Sequence, residues 1–272
     1  MTKAMNSAVE KEIRSFYTDQ MTDFHLTETT MYLNFGYWGP GCTTPDEACT
    51  AMADLVADAA GITAGDRVLD VGFGYADQDI HWLTTRGPAL IAGLNVTASQ
   101  VEVARKRGRE AGLEDRLDLR VGSATDMPFE AGSFDRVVAV ESAFHFDTRD
   151  DFFREAARVL RPGGVLAAAD IILQPGNRED QLRELGTAGG LVPPVNWYDA
   201  QEYAARLEDA GFVDVRVEPI TDRVYAPAQA YVRQQMEKSG AGAALAALST
   251  DDRGAANTEY VIASARKPGG NA

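Results

Sequence analysis

The stretch LDVGFGYADQDIHW, Leu69 to Trp82, reads as a β-strand that runs into a glycine-rich elbow and then into a helix. Unpaired N–H groups and the helix dipole suit such an elbow to an anion, yet this one carries Asp70, Asp77 and Asp79. A dinucleotide fingerprint, G-x-G-x-x-G, would set its third glycine where Asp77 stands. A carboxylate there repels a pyrophosphate. The acidic residue that such folds place on the ribose is also missing, because Asn95 occupies the end of the second strand. A nucleoside without phosphates fits better, and one bearing a cation fits best, with Gly72 and Gly74 allowing close approach of the backbone.

Outward from the elbow, short apolar runs alternate with longer amphipathic ones, the pattern of βαβ units and a mostly parallel sheet. RVLDVG (67–72), ALIAGLN (89–95), LDLRVG (117–122), FDRVVAVES (134–142) and GVLAAADIIL (164–173) are the predicted strands. TASQVEVARKRGREAG (97–112) is a helix with Thr97 or Ser99 as N-cap and Gly112 as its stop, and DDFFREAARVLRPGG closes another on Pro-Gly-Gly. NWYDAQEYAARLEDAGF opens on Asn196 as cap and leads into the strand VDVRVEP; a last strand, EYVIASAR, follows a partly helical stretch from Ala226 to Leu248.

The chain has 272 residues, 45% of them hydrophobic, enough for one sizeable domain. Its formal net charge of −15 repels a phosphate backbone, which argues against nucleic acid as a partner. Cys42 and Cys49 form no CxxC pair, and His25, His81 and His145 are scattered, so neither a disulfide scaffold nor a metal site is expected. The charged N-terminus has no signal-like apolar run and no window approaches the roughly 20 apolar residues of a membrane span. A cytoplasmic protein that does not enter membranes is expected.

S-adenosylmethionine (SAM) has the character that the elbow asks for: sulfonium, ammonium, ribose and adenine, with no phosphate. The chain resembles the class I SAM-dependent methyltransferases through LDVGFGYAD, GLNVTASQ, GSATDMPF, SFDRVVAVESAFHF and EAARVLRPGGVLAAAD, which stand in that family's order from about residue 64 to 173. GLNVTASQ is similar to the form found in cyclopropane-fatty-acid-type and natural-product methyltransferases. The resemblance implies an α/β, Rossmann-like, seven-stranded, mostly parallel sheet with an antiparallel last strand. It also implies an N-terminal helical lid (1–60) packed on a SAM-binding core (61–272), with a cover insert after the fifth strand at about 174–196.

The same resemblance assigns roles. Asp70, Gly72 and Gly74 would hold the methionine end; Asn95 and Gln100 the ribose hydroxyls, with a solvated helix position as the plain alternative for Gln100; Ser123 and Ala124 the adenine edge, with Ser where an Asp is common. Asp77 and Gln78 either cap the helix or touch the cofactor. Glu141 ends the fourth strand at the crevice, as a site carboxylate or a structural one. His145 stands where relatives place a general base, and Asp170 where a similar sugar O-methyltransferase has a second polar partner.

Within FYTDQMTDFHLTETTMYLNFGYW (16–38), Tyr17 and Tyr37 are the expected lid residues, with helical packing as the plain alternative for the aromatics. The insert carries Gly189-Gly190 and Pro193-Pro194. An aromatic cover without a basic cluster points to a largely hydrophobic small-molecule acceptor; the family resemblance implies one from bacterial natural-product metabolism, methylated on O, N or C. Two alternatives stay open: C-methylation of a terpenoid alkene with carbocation formation and cyclisation, and a SAM-retaining cyclase without methyl transfer. A homo-oligomer formed through the N-terminal segment is a further expectation.

Overall fold

The computed structural model describes residues 7–20, 27–185, 191–239 and 256–270. Phe24, His25 and the Gly189-Gly190 pair lie outside the described residues, as does the end of the expected helical stretch, 240–248. The parallel strands β1 (Arg67–Val71), β2 (Leu90–Asn95), β3 (Leu117–Val121), β4 (Phe134–Val140) and β5 (Leu160–Leu173) are followed by β6 (Val213–Pro219) and β7 (Thr258–Arg266). They form one sheet in the order β3-β2-β1-β4-β5-β7-β6, and β7 runs antiparallel to both its neighbours. The seven-stranded sheet with an antiparallel last strand is as expected. Strand order reverses between β1 and β4, the point at which open α/β sheets form a crevice at their carboxyl ends.

Helices α3 (Asp77–Thr85), α4 (Ala98–Glu110), α5 (Arg149–Val159) and α7 (Ala200–Asp209) accompany the sheet, and α6 (Arg178–Leu185) and α8 (Tyr225–Ser239) belong to the later segments. In the leader, α1 (Ala8–Ser15) runs into a π-helical turn, Phe16–Gln20, and α2 (Pro45–Ala60) packs on the sheet. Helix α2 is locally well specified: Thr44 and Glu47 form a capping box, Pro45 takes the first turn and Gly61, at φ +66°, ends it. Its Met52 and Val56 are fully buried against β-strand residues such as Val68 and Val138, each burial worth roughly 1.5–3 kcal/mol. No helix among the described residues is long and apolar enough to cross a membrane.

Two boundaries differ from expectation. Strand β5 begins at Leu160, which pairs with Phe134, and the next partners are Val165 and Arg136. Arg161 to Gly164 therefore bulge out of the ladder, with Gly163 at φ +80°, where a plain helix stop was expected. Asn196 does not cap α7; the carboxylate of Asp199 accepts from the Glu202 N–H and does so instead. The Asn196 side chain is used elsewhere, accepting from the Arg149 N–H and donating to the carbonyls of Phe144 and Phe146.

Asn196 belongs to a buried network that corrects the catalytic expectation for Asp170. The Asp170 carboxylate lies 3.0 Å from Arg149 Nε, both side chains fully buried. It also accepts from the Tyr203 hydroxyl and from the N–H groups of Phe144 and Ile171. The Arg149 guanidinium donates to the carbonyls of Asn196 and Ile171 and stacks over Tyr198 and Tyr203. Asp170 is committed to holding the turn at 143–146 and does not line the cavity described below. Asp170→Asn strands a buried guanidinium, so a loss of about 3–5 kcal/mol in unfolding free energy is expected from urea titration, against well under 1 kcal/mol for a surface carboxylate.

Candidate active site

The carboxyl ends of β3, β2, β1 and β4 open onto a cavity. Gly72, Gly74, Asn95, Gln100, Ser123, Ala124, Glu141, His145 and Tyr17 all line it, so most of the residues singled out from sequence come together. Asp70, Asp170 and Tyr37 do not. The Tyr37 N–H donates to the Ala48 carbonyl, which draws that residue onto α2, and Met31 to Asn34 line the cavity in its stead.

The elbow needs its first glycine. Gly72 has φ +84°, and a Cβ there would stand 2.4 Å from Ser142 Cβ. This close approach brings the β1 and β4 ends together, with the Ser142 hydroxyl donating to the Val71 carbonyl. Asp70 acts through its neighbour: Gln78 Nε2 donates to Asp70 Oδ2 and to the Phe73 carbonyl. With both amide hydrogens so engaged, Gln78 presents its carbonyl oxygen to the cavity as an acceptor, suited to an ammonium. On the other side Asn95 Nδ2 donates to Gln100 Oε1 while Asn95 Oδ1 accepts from the Thr97 N–H. That leaves the Gln100 NH2 as the donor for a diol.

The electrostatics of the elbow differ from a simple count of acids. Asp77 is bound by both terminal nitrogens of Arg107 at 2.6 Å and is neutralised. Asp70 and Asp79 are fully buried side by side. Both Asp79 oxygens and Asp70 Oδ1 have no partner among the described residues. Burial raises both carboxyls, Asp70 to about 7 and Asp79 further because Asp70 is beside it. One proton held by the pair would answer two of these three oxygens. The elbow thus keeps less negative charge than its sequence suggests, while no Lys or Arg among the described residues lines the cavity and Arg107 is spent on Asp77 and the Tyr75 carbonyl.

At the other end, His145 Nδ1 lies 2.8 Å from the Leu191 carbonyl, which can only accept. Nδ1 therefore carries the hydrogen and Nε2 bears the lone pair, here accepting from the Tyr17 hydroxyl at 3.1 Å. Burial drives the His145 pKa down to about 4, with the Leu191 bond opposing and Arg149 assisting, so the ring is neutral at neutral pH. Burial and the Glu141 carboxylate keep Tyr17 protonated far above the neutral range. Glu141, at φ +50°, accepts on one oxygen from both the Phe35 N–H and the Tyr260 hydroxyl. Burial raises it to about 8 despite those bonds. It is the clamp between leader, β4 and β7, and its second oxygen is left for the cavity.

These groups suit SAM in the direction read from the sequence: an acceptor at Gln78 for the ammonium, an amide donor at Gln100 for the ribose, and no Lys or Arg in the described cavity lining. Sequence reasoning passed over Glu10, Ile13 and the acceptor role of Gln78. The first two had a signal, since Glu10, Ile13 and Tyr17 stand at i, i+3 and i+7, one face of a helix.

Because Asp70 and Asp79 titrate above their ordinary 3.8, this pair binds more protons in the folded chain than in the unfolded one from about pH 4 upward, through about 7 for Asp70. The pair's contribution to stability therefore falls as pH rises across that window. Asp79→Asn removes one of the competing carboxyls, and calorimetry without ligand is expected to show a melting temperature raised by a few degrees, more at pH 8 than at pH 5. An equal shift at both pH values contradicts the shared proton.

A family model described as a methyltransferase domain matches residues 69–168. The chain is 42% identical over 266 residues to erythromycin 3''-O-methyltransferase of Saccharopolyspora erythraea, covering 91% of this chain and 87% of that one. It is 35% identical over 194 residues to 27-O-demethylrifamycin SV methyltransferase of Amycolatopsis mediterranei, with 70% and 69% covered. Among solved structures, that of the [4+2]-cyclase SpnF superposes with a TM-score of 0.73 at 27% identity, over 88% of this chain and 89% of that one. A relative so similar over nearly its whole length, joined to a phosphate-averse nucleoside cleft at the switch point of the sheet, places this chain in the family of SAM-dependent methyltransferases.

Proposed function

We propose that this methyltransferase methylates a hydroxyl group of a largely hydrophobic small molecule of bacterial natural-product metabolism, with His145 as general base. The observation that carries the reading is the His145 tautomer: Nδ1 spent on Leu191 leaves an unprotonated Nε2 at the cavity wall. The two bacterial relatives, named for methylation at a 3''-oxygen and at a 27-oxygen, support oxygen as the acceptor atom.

Bound SAM supplies a methyl group activated by its sulfonium. The chain's work is to align the acceptor and receive its proton. In the described geometry the Tyr17 hydroxyl occupies the Nε2 lone pair, so an acceptor hydroxyl takes that place as the tyrosine yields. Phe144 lies against the imidazole, ring centroids 3.9 Å apart, and Phe146 also lines the cavity. This apolar setting excludes water and favours a hydrophobic acceptor. We assign residues 1–60 as the lid, since Glu10, Tyr17 and Phe35 each reach groups of the core 61–272. The insert at 174–196 is the second wall, in contact with the base through Leu191.

Incubation with SAM and hydroxylated hydrophobic acceptors is expected to add one methyl per product molecule with equimolar S-adenosylhomocysteine, read by mass spectrometry. A product rearranged without methyl gain would favour the cyclase reading. His145→Ala is expected to lower kcat by about 10²–10⁴ while S-adenosylhomocysteine binding stays within a few-fold. The acid limb of the wild-type pH profile is expected near the depressed value of about 4 and not near 6.5. Undiminished turnover by His145→Ala would remove the base and leave the alkene route as the better account.

A further inference from the structure

Helix α1 and the π-helical turn that continues it present Glu10, Ile13 and Tyr17 to the cavity. Glu10 is only 6% exposed. Its Oε1 accepts from the Ser123 hydroxyl at 2.6 Å, the two residues 113 positions apart in the chain. Its Oε2 is buried and has no hydrogen-bonding partner among the described residues. A desolvated carboxylate oxygen left unpaired is costly, and the cavity it lines is the place from which a donor can come.

The identity of that donor follows from position, and it rests on the SAM site and the base proposed above. Glu10 and Ser123 lie at the β3 end of the cavity, while His145 and Glu141 lie past the β4 end, three strand spacings or about 14 Å away. The Asn95–Gln100 amide pair stands between them at the end of β2. Methyl transfer beside His145 requires the sulfur there, so with the ribose at Gln100 the purine extends toward β3. On a 6-aminopurine, the group that donates outward to a carboxylate is the exocyclic amine.

We propose that Glu10 is a cofactor-specificity residue: its Oε2 accepts a hydrogen bond from the 6-amino group of the SAM purine, making the N-terminal helix one wall of the purine site. The cover helix and the cofactor are then coupled. A closed helix without the amine buries an unanswered carboxylate oxygen, whereas with the amine both oxygens are satisfied, so the cofactor itself favours closure.

Calorimetric titration of the ligand-free protein with S-adenosylhomocysteine, and with the analogue bearing hydrogen in place of the 6-amino group, tests this. Wild type is expected to favour the amine by about 10- to 100-fold, the worth of a hydrogen bond to a charged group. Glu10→Ala is expected to bring the two ligands to within about threefold. Hydrogen exchange over residues 7–17 is expected to slow on adding S-adenosylhomocysteine to wild type, and much less with the analogue. Equal wild-type affinities would overturn the proposal without reference to any variant. Discrimination kept intact in Glu10→Ala, with its ligand-free melting temperature unchanged, would also overturn it, since the amine would then be read elsewhere. Binding of neither ligand by wild type would sink the SAM site itself, a result distinct from the other two.

Discussion

A guanidinium with no access to solvent needs a counter-charge and acceptors, and the arrangement around Arg149 supplies them. Asp170 brings the counter-charge, two backbone carbonyls accept from the terminal nitrogens, and two tyrosine rings cover the faces. Because Asp170 also accepts from the Phe144 N–H, and Asn196 binds the carbonyls on either side of His145, the pair dictates where the turn carrying His145 lies. Buried ion pairs contribute little net stability when compared with apolar packing. Their effect here is positional: the imidazole is held with Nδ1 against Leu191, and its tautomer is thereby chosen.

The leader is joined to the core by contacts that fall on groups of the cavity itself. Glu10 meets Ser123 beyond β3, Tyr17 meets His145 beyond β4, and the Phe35 N–H meets Glu141 at the end of β4. Each of these core groups is polar and lines the cavity, so an occupant with hydrogen-bonding groups meets the same partners as the leader does.

The acidic elbow shows how a correct chemical direction can rest on an incomplete accounting of charge. Repulsion of phosphate by Asp70, Asp77 and Asp79 was the reasoning, but Asp77 is cancelled by Arg107, which lies 30 positions further along the chain. Asp70 and Asp79 are buried behind the elbow, where burial raises both carboxyls, and Asp70 orients Gln78. The cavity still offers a pyrophosphate no counter-charge, because no Lys or Arg among the described residues lines it and Arg107 is spent on Asp77 and the Tyr75 carbonyl. Tyr37 shows the converse limit. As one aromatic in a run of several, nothing local to it said that its backbone would pair with Ala48 and turn it toward α2.

The strand and helix alternation, the glycine elbow, the amides at Asn95 and Gln100 and the histidine after β4 were determined by the sequence alone, because short-range steric and hydrogen-bonding rules act on neighbours in the chain. The register of that histidine's proton, the withdrawal of Asp170 into a structural pair, the bulge before β5 and the arrival of Glu10 at Ser123 were decided only in the tertiary structure. Each depends on burial and on partners tens of residues distant, and desolvation, which sets the protonation and pairing of buried polar groups, does not exist until the chain has packed.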